Sequence, residues 1–135
     1  MKALIATFLC SATLAAGAAD LTIQVDDVKS ADGQVMVAVY NSADTFLGKP
    51  CSVANAHAAA GSTTVVVKDL PAGDYAFAVY HDANGNGKLD RNLVGMPTED
   101  YAFSNDAAGK FGAPAFDAAR IALPAAGTVA RVSLR

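Results

Sequence analysis

The chain has 135 residues, 53% of them hydrophobic, with 10 Lys and Arg against 13 Asp and Glu for a formal net charge of −3. That length suits one domain with one modest core. The mild acidity and the lack of a basic cluster argue against nucleic-acid binding, which needs a positive stripe to neutralise phosphates.

The first stretch reads as an export signal. Met1-Lys2 is a positive start, residues 3–16 are almost all apolar, and Ala16-Gly17-Ala18 fits the small-x-small pattern of a cleavage site. The run is short for a membrane span. Thr7-Phe8-Leu9 before Cys10 lacks the small residues that a lipid attachment site needs, so no membrane anchor is expected after cleavage. The expected organisation is a signal peptide over 1–18 and one domain over 19–135, periplasmic or secreted. Cleavage removes Cys10 and leaves Cys51 without an intramolecular partner. A small domain in an oxidising compartment then needs another brace, and a bound ion is one candidate. Cys51 is expected to be buried and inert, and the protein a monomer.

Leu21-Thr22-Ile23-Gln24-Val25 alternates apolar and polar, as a half-buried strand does. Ser30-Ala31-Asp32-Gly33 reads as a turn, and residues 34–40 form a second strand that is apolar on both faces. The two are expected to pair as a hairpin. Residues 41–61 are irregular. Thr45-Phe46-Leu47 suits a short strand or one helical turn, and the alanine-rich residues 55–60 suit a helical turn. His57, in the same region, is read as a solvent-facing loop residue, because no second Cys/His pair completes a metal site with Cys51.

Residues 63–68 form a β-branched strand. A tight turn, Leu70-Pro71-Ala72-Gly73-Asp74, leads into the strongest strand, residues 75–80. There Tyr75, Phe77 and Val79 share one face, and Ala76 and Ala78 the other. Small residues on the second face imply close neighbours there. A tyrosine just after such a turn resembles the residue that ties down corners of immunoglobulin-like sandwiches. Residues 82–112 show no strand alternation, and a connection of that length is usually functional. Leu93, Val94, Met96, Tyr101 and Phe103 are expected to anchor it to the body. Ile121-Ala122-Leu123 precedes Pro124, and residues 128–134 make the last strand. Six or seven short strands and no long helix predict an all-β antiparallel sandwich of about seven strands with one long ordered loop.

The chemistry is concentrated in His81-Asp82-Ala83-Asn84-Gly85-Asn86-Gly87-Lys88-Leu89-Asp90. Asp82, Asn84 and Asn86 place side-chain oxygens at every second position. Gly87 allows a sharp turn, Lys88 can offer its backbone carbonyl, and Asp90 follows at the ninth position. This is the spacing of a loop that wraps oxygens around calcium. Leu93 stands where an EF-hand has its bidentate glutamate, so Glu99 or Asp100 is expected to fold back and supply the missing carboxylate, with Glu99 taken as the distal ligand. The competing reading takes Asn84-Gly85 and Asn86-Gly87 as plain turns, since Asn-Gly readily adopts positive φ.

His81 is expected to bond a loop carbonyl at the strand end. The alternative places His81, Asp90 and Glu99 around a metal as a small hydrolase. No nucleophile elbow, phosphate loop or zinc-protease helix is present. Ser104 is read as a turn residue that bonds backbone. A non-catalytic module that binds a protein or a glycan, or serves a structural role, is therefore the expectation.

His81-Asp82-x-Asn84-x-Asn86-x-x-x-Asp90, then Gly95-x-Pro97-x-Glu99-x-Tyr101-Ala102-Phe103-Ser104-Asn105, then Gly112-x-Pro114-x-Phe116-Asp117-x-Ala119 resembles a bacterial exported family, domain of unknown function 2141. The likeness covers most of the expected mature chain. It departs at Ala102, where the family pattern prefers glycine. The resemblance implies a transthyretin-like or immunoglobulin-like sandwich and implies no activity.

Overall fold

The computed structural model describes residues 18–110 and 112–135. The expected signal peptide lies almost wholly outside the described residues. Among the described residues eight strands form two sheets: β1 (Ala19–Val28), β2 (Gln34–Tyr40), β3 (Ser52–His57), β4 (Gly61–Leu70), β5 (Gly73–Asp82), β6 (Tyr101–Phe103), β7 (Ile121–Leu123) and β8 (Thr128–Ser133). One sheet has the order β4-β1-β8 and the other β3-β2-β5-β6, with β7 also paired to β5. A 3-10 turn (Ser104–Asp106) and a one-turn helix, α1 (Phe116–Ala119), are the only helical pieces among the described residues. The architecture is an all-β sandwich. Its pairings are antiparallel except β1 with β8, which run parallel.

The core follows from strand alternation. Leu21, Ile23 and Val25 on β1 and Val65 and Val67 on β4 face Val35, Val37 and Val39 on β2 and Phe77 and Val79 on β5. Phe77 is fully buried at the centre. The turn before β5 is tied as the sequence suggests, with Tyr75 Oη donating to the Pro71 carbonyl at 2.5 Å.

Five expectations are corrected. β1 and β2 do not form a hairpin; each lies in a different sheet, with both its edges occupied by other strands. Alternation specifies which face of a strand is buried, and an arch between layers satisfies that as well as a hairpin does. The arch is held where Gly33, at φ +67°, passes so close to Asp82 that a Cβ would lie 2.0 Å from its carbonyl oxygen. Residues 52–57, whose second half the sequence reads as helical, form strand β3, because pairing along β2 outweighs the local preference of alanine. His57 accordingly sits on an exposed edge strand rather than in a loop. Cys51 is exposed, because it sits at the sandwich margin just before β3. Leu93, Val94 and Met96 do not anchor the long connection: they stand 107%, 82% and 59% exposed. Tyr101 and Phe103 do anchor it, through the three-residue strand β6 that the sequence does not announce.

The outer face of the second sheet is also apolar, as the two-sided pattern of β2 requires. Ala76 is fully buried beneath neighbouring chain. Phe46 packs edge-on against Tyr40, Phe103 and Phe116, with centroids 5.4, 6.4 and 5.8 Å apart, and so closes one end of that face. Ser104 is buried beside it. Its hydroxyl accepts from the Phe77 N–H at 3.0 Å and donates to the Ala119 carbonyl, the backbone role its sequence context suggests.

Candidate metal centre

The Asp/Asn/Gly loop leaves the end of β5 and folds back on its own side chains. Asp82, the last residue of β5, is only 2% exposed. A buried carboxylate needs partners, and the turn supplies them: Oδ1 accepts from the Asn86 N–H at 3.2 Å and Oδ2 from the Gly87 N–H at 2.8 Å. Gly85 and Gly87, at φ +69° and +77°, give the chain the left-handed steps that aim these N–H groups inward. Asn84 Oδ1 accepts from the Asn86 N–H at 3.2 Å, and Asn86 Oδ1 from the Lys88 N–H at 3.1 Å. Each is a short Asx turn, so the residues are spaced by the geometry of the turn itself.

Asp90 lies opposite. Its two oxygens face the side-chain amides of Asn84 and Asn86, each at 2.5 Å. Glu99 closes the arrangement. Its Oε2 accepts from the Ala83 N–H at 3.2 Å and its Oε1 from the Asp90 N–H at 2.9 Å. The carboxylate expected from far along the connection therefore does fold back onto the loop. Of the six residues singled out in the sequence, Asp82, Asn84, Asn86, Asp90 and Glu99 are joined through side-chain oxygens or amides. Lys88 is joined through its backbone N–H.

Two neighbours were not singled out for this role. Tyr80 Oη donates to the Gly87 carbonyl at 3.1 Å and so pins the tip of the turn to the sheet. Burial raises the Tyr80 pKa, and the negative charges of Asp82, Glu99 and Asp90 raise it further. Three acidic groups thus bear on one hydroxyl, an electrostatic sign that the loop is a negative site. Lys29 forms an ion pair with Asp100 at 3.0 Å, which joins the arch between the sheets to the far stem of the connection. Strand parity alone would have found Tyr80, since it sits two residues before Asp82.

His81 is buried and points the other way. Its Nε2 is 2.7 Å from the Asp32 carbonyl, so this nitrogen carries the proton. It bonds a loop carbonyl as expected, and the carbonyl belongs to the arch. Its backbone N–H donates to the Asp100 carbonyl at 2.9 Å. Among the described residues, no three His, Cys, Asp or Glu side chains gather at metal-binding separations. Accordingly neither His81, Asp90 and Glu99 nor the three loop acids Asp82, Asp90 and Glu99 converge on one open position; the loop acids are joined through backbone N–H groups and amides instead.

Beyond Asp90 the chain makes a second tight turn. Asn92 Oδ1 accepts from the N–H groups of Val94 and Met96, both at 3.0 Å, and Arg91 Nη1 donates to the Gly95 carbonyl at 3.0 Å. The Thr98 N–H donates to the Asp90 carbonyl at 2.8 Å, which joins the stem of this turn to the acidic loop.

Fold and site together define a two-sheet β-sandwich carrying one self-bonded Asp/Asn/Gly loop at the end of its central strand. The family model for uncharacterized proteins conserved in bacteria, DUF2141, matches residues 23–131, and the chain belongs to that family. No curated protein and no solved structure gives a significant match.

Proposed function

We propose that this protein is an exported, non-catalytic binding module whose long connection is braced by calcium in the Asp82–Asp90 loop. The observation that carries the reading is the linkage of Asp82, Asn84, Asn86, Asp90 and Glu99 through one hydrogen-bonded turn; its three acids are not grouped at metal-binding separation, so calcium would have to draw them inward. Every side-chain donor in it is a hard oxygen or an amide that can present one, with no sulfur or imidazole, which suits calcium over zinc or copper. The two Asn amides face Asp90 through nitrogen. Rotating each amide would turn its oxygen toward that carboxylate at the cost of the Asx-turn bonds from the Asn86 and Lys88 N–H groups, so an ion joining them must replace those bonds. Asp82 offers the remaining charge at the loop head, the Lys88 carbonyl is the expected main-chain ligand, and Glu99 the distal carboxylate. Bound calcium would supply positive charge that holds the acidic groups together.

Few formal charges and neutral amides in two positions favour weak binding, with Kd on the order of 10⁻⁴ to 10⁻³ M, as in extracellular modules. Such sites fill outside the cytosol, where calcium is abundant. Calorimetric titration with calcium, magnesium and zinc tests the reading. A single calcium site in this range supports it, and tight zinc binding with no calcium heat overturns it.

Export rests on the charged start, the apolar run and the Ala16-Gly17-Ala18 site. Mass spectrometry of the protein recovered outside the cytoplasm should find a new N-terminus near Ala19, and an intact Met1 there would contradict it. The reading as a non-enzyme rests on the commitment of His81 to Asp32 and of Glu99 to two backbone N–H groups. Turnover of a generic ester, phosphate or glycoside substrate that disappears in both His81→Ala and Glu99→Gln would favour the metal-dependent hydrolase instead.

A further inference from the structure

The outer face of the second sheet forms the floor of an open groove of about 890 Å³. Ala38 and Ala78, directly paired across β2 and β5, make the lowest part, and Phe103 pairs with Ala78 on the other side. Tyr40, Tyr80 and Tyr101 stand around this shallow centre. The size and the apolar, aromatic lining are those of small-molecule sites.

Two further observations bear on the occupant. The turn that overhangs the groove contributes Val94, Met96 and Pro97 to its wall, and its Leu93, Val94 and Met96 are the exposed apolar side chains of the long connection. The turn is tightly bonded internally, so these side chains are presented in a defined place. The charges at the groove are also lopsided in a chain that is acidic overall. Arg91, Lys110 and Arg135 line it against one lining acid, Asp106, which is engaged by the Ser133 N–H at 2.9 Å, while the acidic loop bears on the groove at Tyr80. Arg91 spends one guanidinium N–H on Gly95, and among the described residues its other N–H groups have no further acceptor.

We propose that this groove binds a small amphipathic anion, with an apolar body on the Ala38/Ala78 floor under the 91–97 turn and an acidic end at the Arg91, Lys110 and Arg135 rim. The proposal rests on the binding-module reading and replaces a protein or glycan ligand with a smaller one. A glycan would want polar groups matched to its hydroxyls, and this floor offers alanine and ring faces. The 91–97 turn grows from the acidic loop at Asp90, so calcium that orders the loop also orders the wall of the groove.

Dodecanoate and dodecanol are the probes, titrated calorimetrically in chelator, because calcium precipitates dodecanoate as its soap, and kept below the micellar range of the one and the solubility limit of the other. The expected result is one saturable dodecanoate site. Dodecanol should bind about two- to fivefold more weakly, the worth of a partly screened charge contact. Ala78→Trp should abolish binding by filling the floor. Met96→Glu, on an exposed position that leaves the core untouched, should weaken dodecanoate at least as much, and Arg91→Glu should remove the preference for dodecanoate over dodecanol. No saturable dodecanoate binding, equal affinity for the two probes, or wild-type binding in Met96→Glu would each overturn the proposal, as would binding only to a soluble oligosaccharide. The melting response to calcium is read on separate samples of the same protein without either probe. Absent dodecanoate binding with an intact calcium response removes the groove ligand and leaves the calcium reading in place.

Discussion

The Asp90 N–H donates to Glu99 Oε1 at 2.9 Å, and this bond shuts a loop whose other wall is a nearly buried Asp82. The second Glu99 oxygen takes the Ala83 N–H, so one carboxylate spans the two ends of the acidic turn. Glu99 therefore acts as a clamp on the backbone.

Glu99→Gln keeps the shape of the clamp but turns one acceptor into a donor facing an N–H. Hydrogen bonds to a charged group contribute about 1.5–3 kcal/mol when well shielded, and this partly exposed one less. A loss of about 1 kcal/mol is expected, with faster limited proteolysis between residues 83 and 98. Unchanged cleavage there would show that the clamp does not hold the loop.

The face assignment on β5 has a sharper test. Phe77 is fully buried between the sheets, so Phe77→Ala should cost about 3–5 kcal/mol by denaturant unfolding, from lost burial and the cavity left behind. A cost below about 1 kcal/mol would mean that the core does not close around this ring.

Tyr80 reports the charge of the loop. Its hydroxyl is raised above the ordinary 10.0, first by burial and then by Asp82, Glu99 and Asp90. Calcium among those carboxylates would cancel their contribution and leave that of burial. The Tyr80 titration, followed by ultraviolet absorbance against a Tyr80→Phe control, should shift to lower pH when calcium is added. The sign for stability follows from linkage. A folded value above the unfolded one gives stability that is complete below pH 10 and is lost as pH rises through the folded value. Calcium should therefore narrow the alkaline window over which this stability is lost. An unmoved titration would mean that calcium does not sit among these acids.

Much of the fold was legible because alternation encodes burial directly. Leu21, Ile23 and Val25, and Tyr75, Phe77 and Val79, each fall on the face predicted for them. The Tyr75 corner was legible because its turn chemistry is local. The partner of each strand was not, since β1 carries the same pattern whether it pairs with β2 or arches over to the other sheet. Strand β3 was hidden by its alanines, whose weak strand preference is overridden by pairing to β2. At the site, the spacing of Asp82, Asn84, Asn86 and Asp90 was legible because Asx turns are built from neighbours in sequence. The return of Glu99 could be proposed only from the missing carboxylate. The exposed Leu93, Val94 and Met96 misled because hydrophobicity alone does not say whether an apolar side chain serves a core or a binding surface.

The central claim is that calcium braces this loop, and thermal melting tests it most directly. At free calcium about ten times the Kd, binding adds about 1.4 kcal/mol to stability, a rise of about 5 °C in Tm for a domain of this size. Millimolar calcium should raise Tm by that amount in wild type and in Lys88→Ala, whose carbonyl is retained, and chelator should reverse the rise. Asp82→Ala should abolish the response. A wild-type Tm and a loop-cleavage rate that are the same in calcium and in chelator would contradict the account and leave the Asn-Gly pairs as ordinary turns.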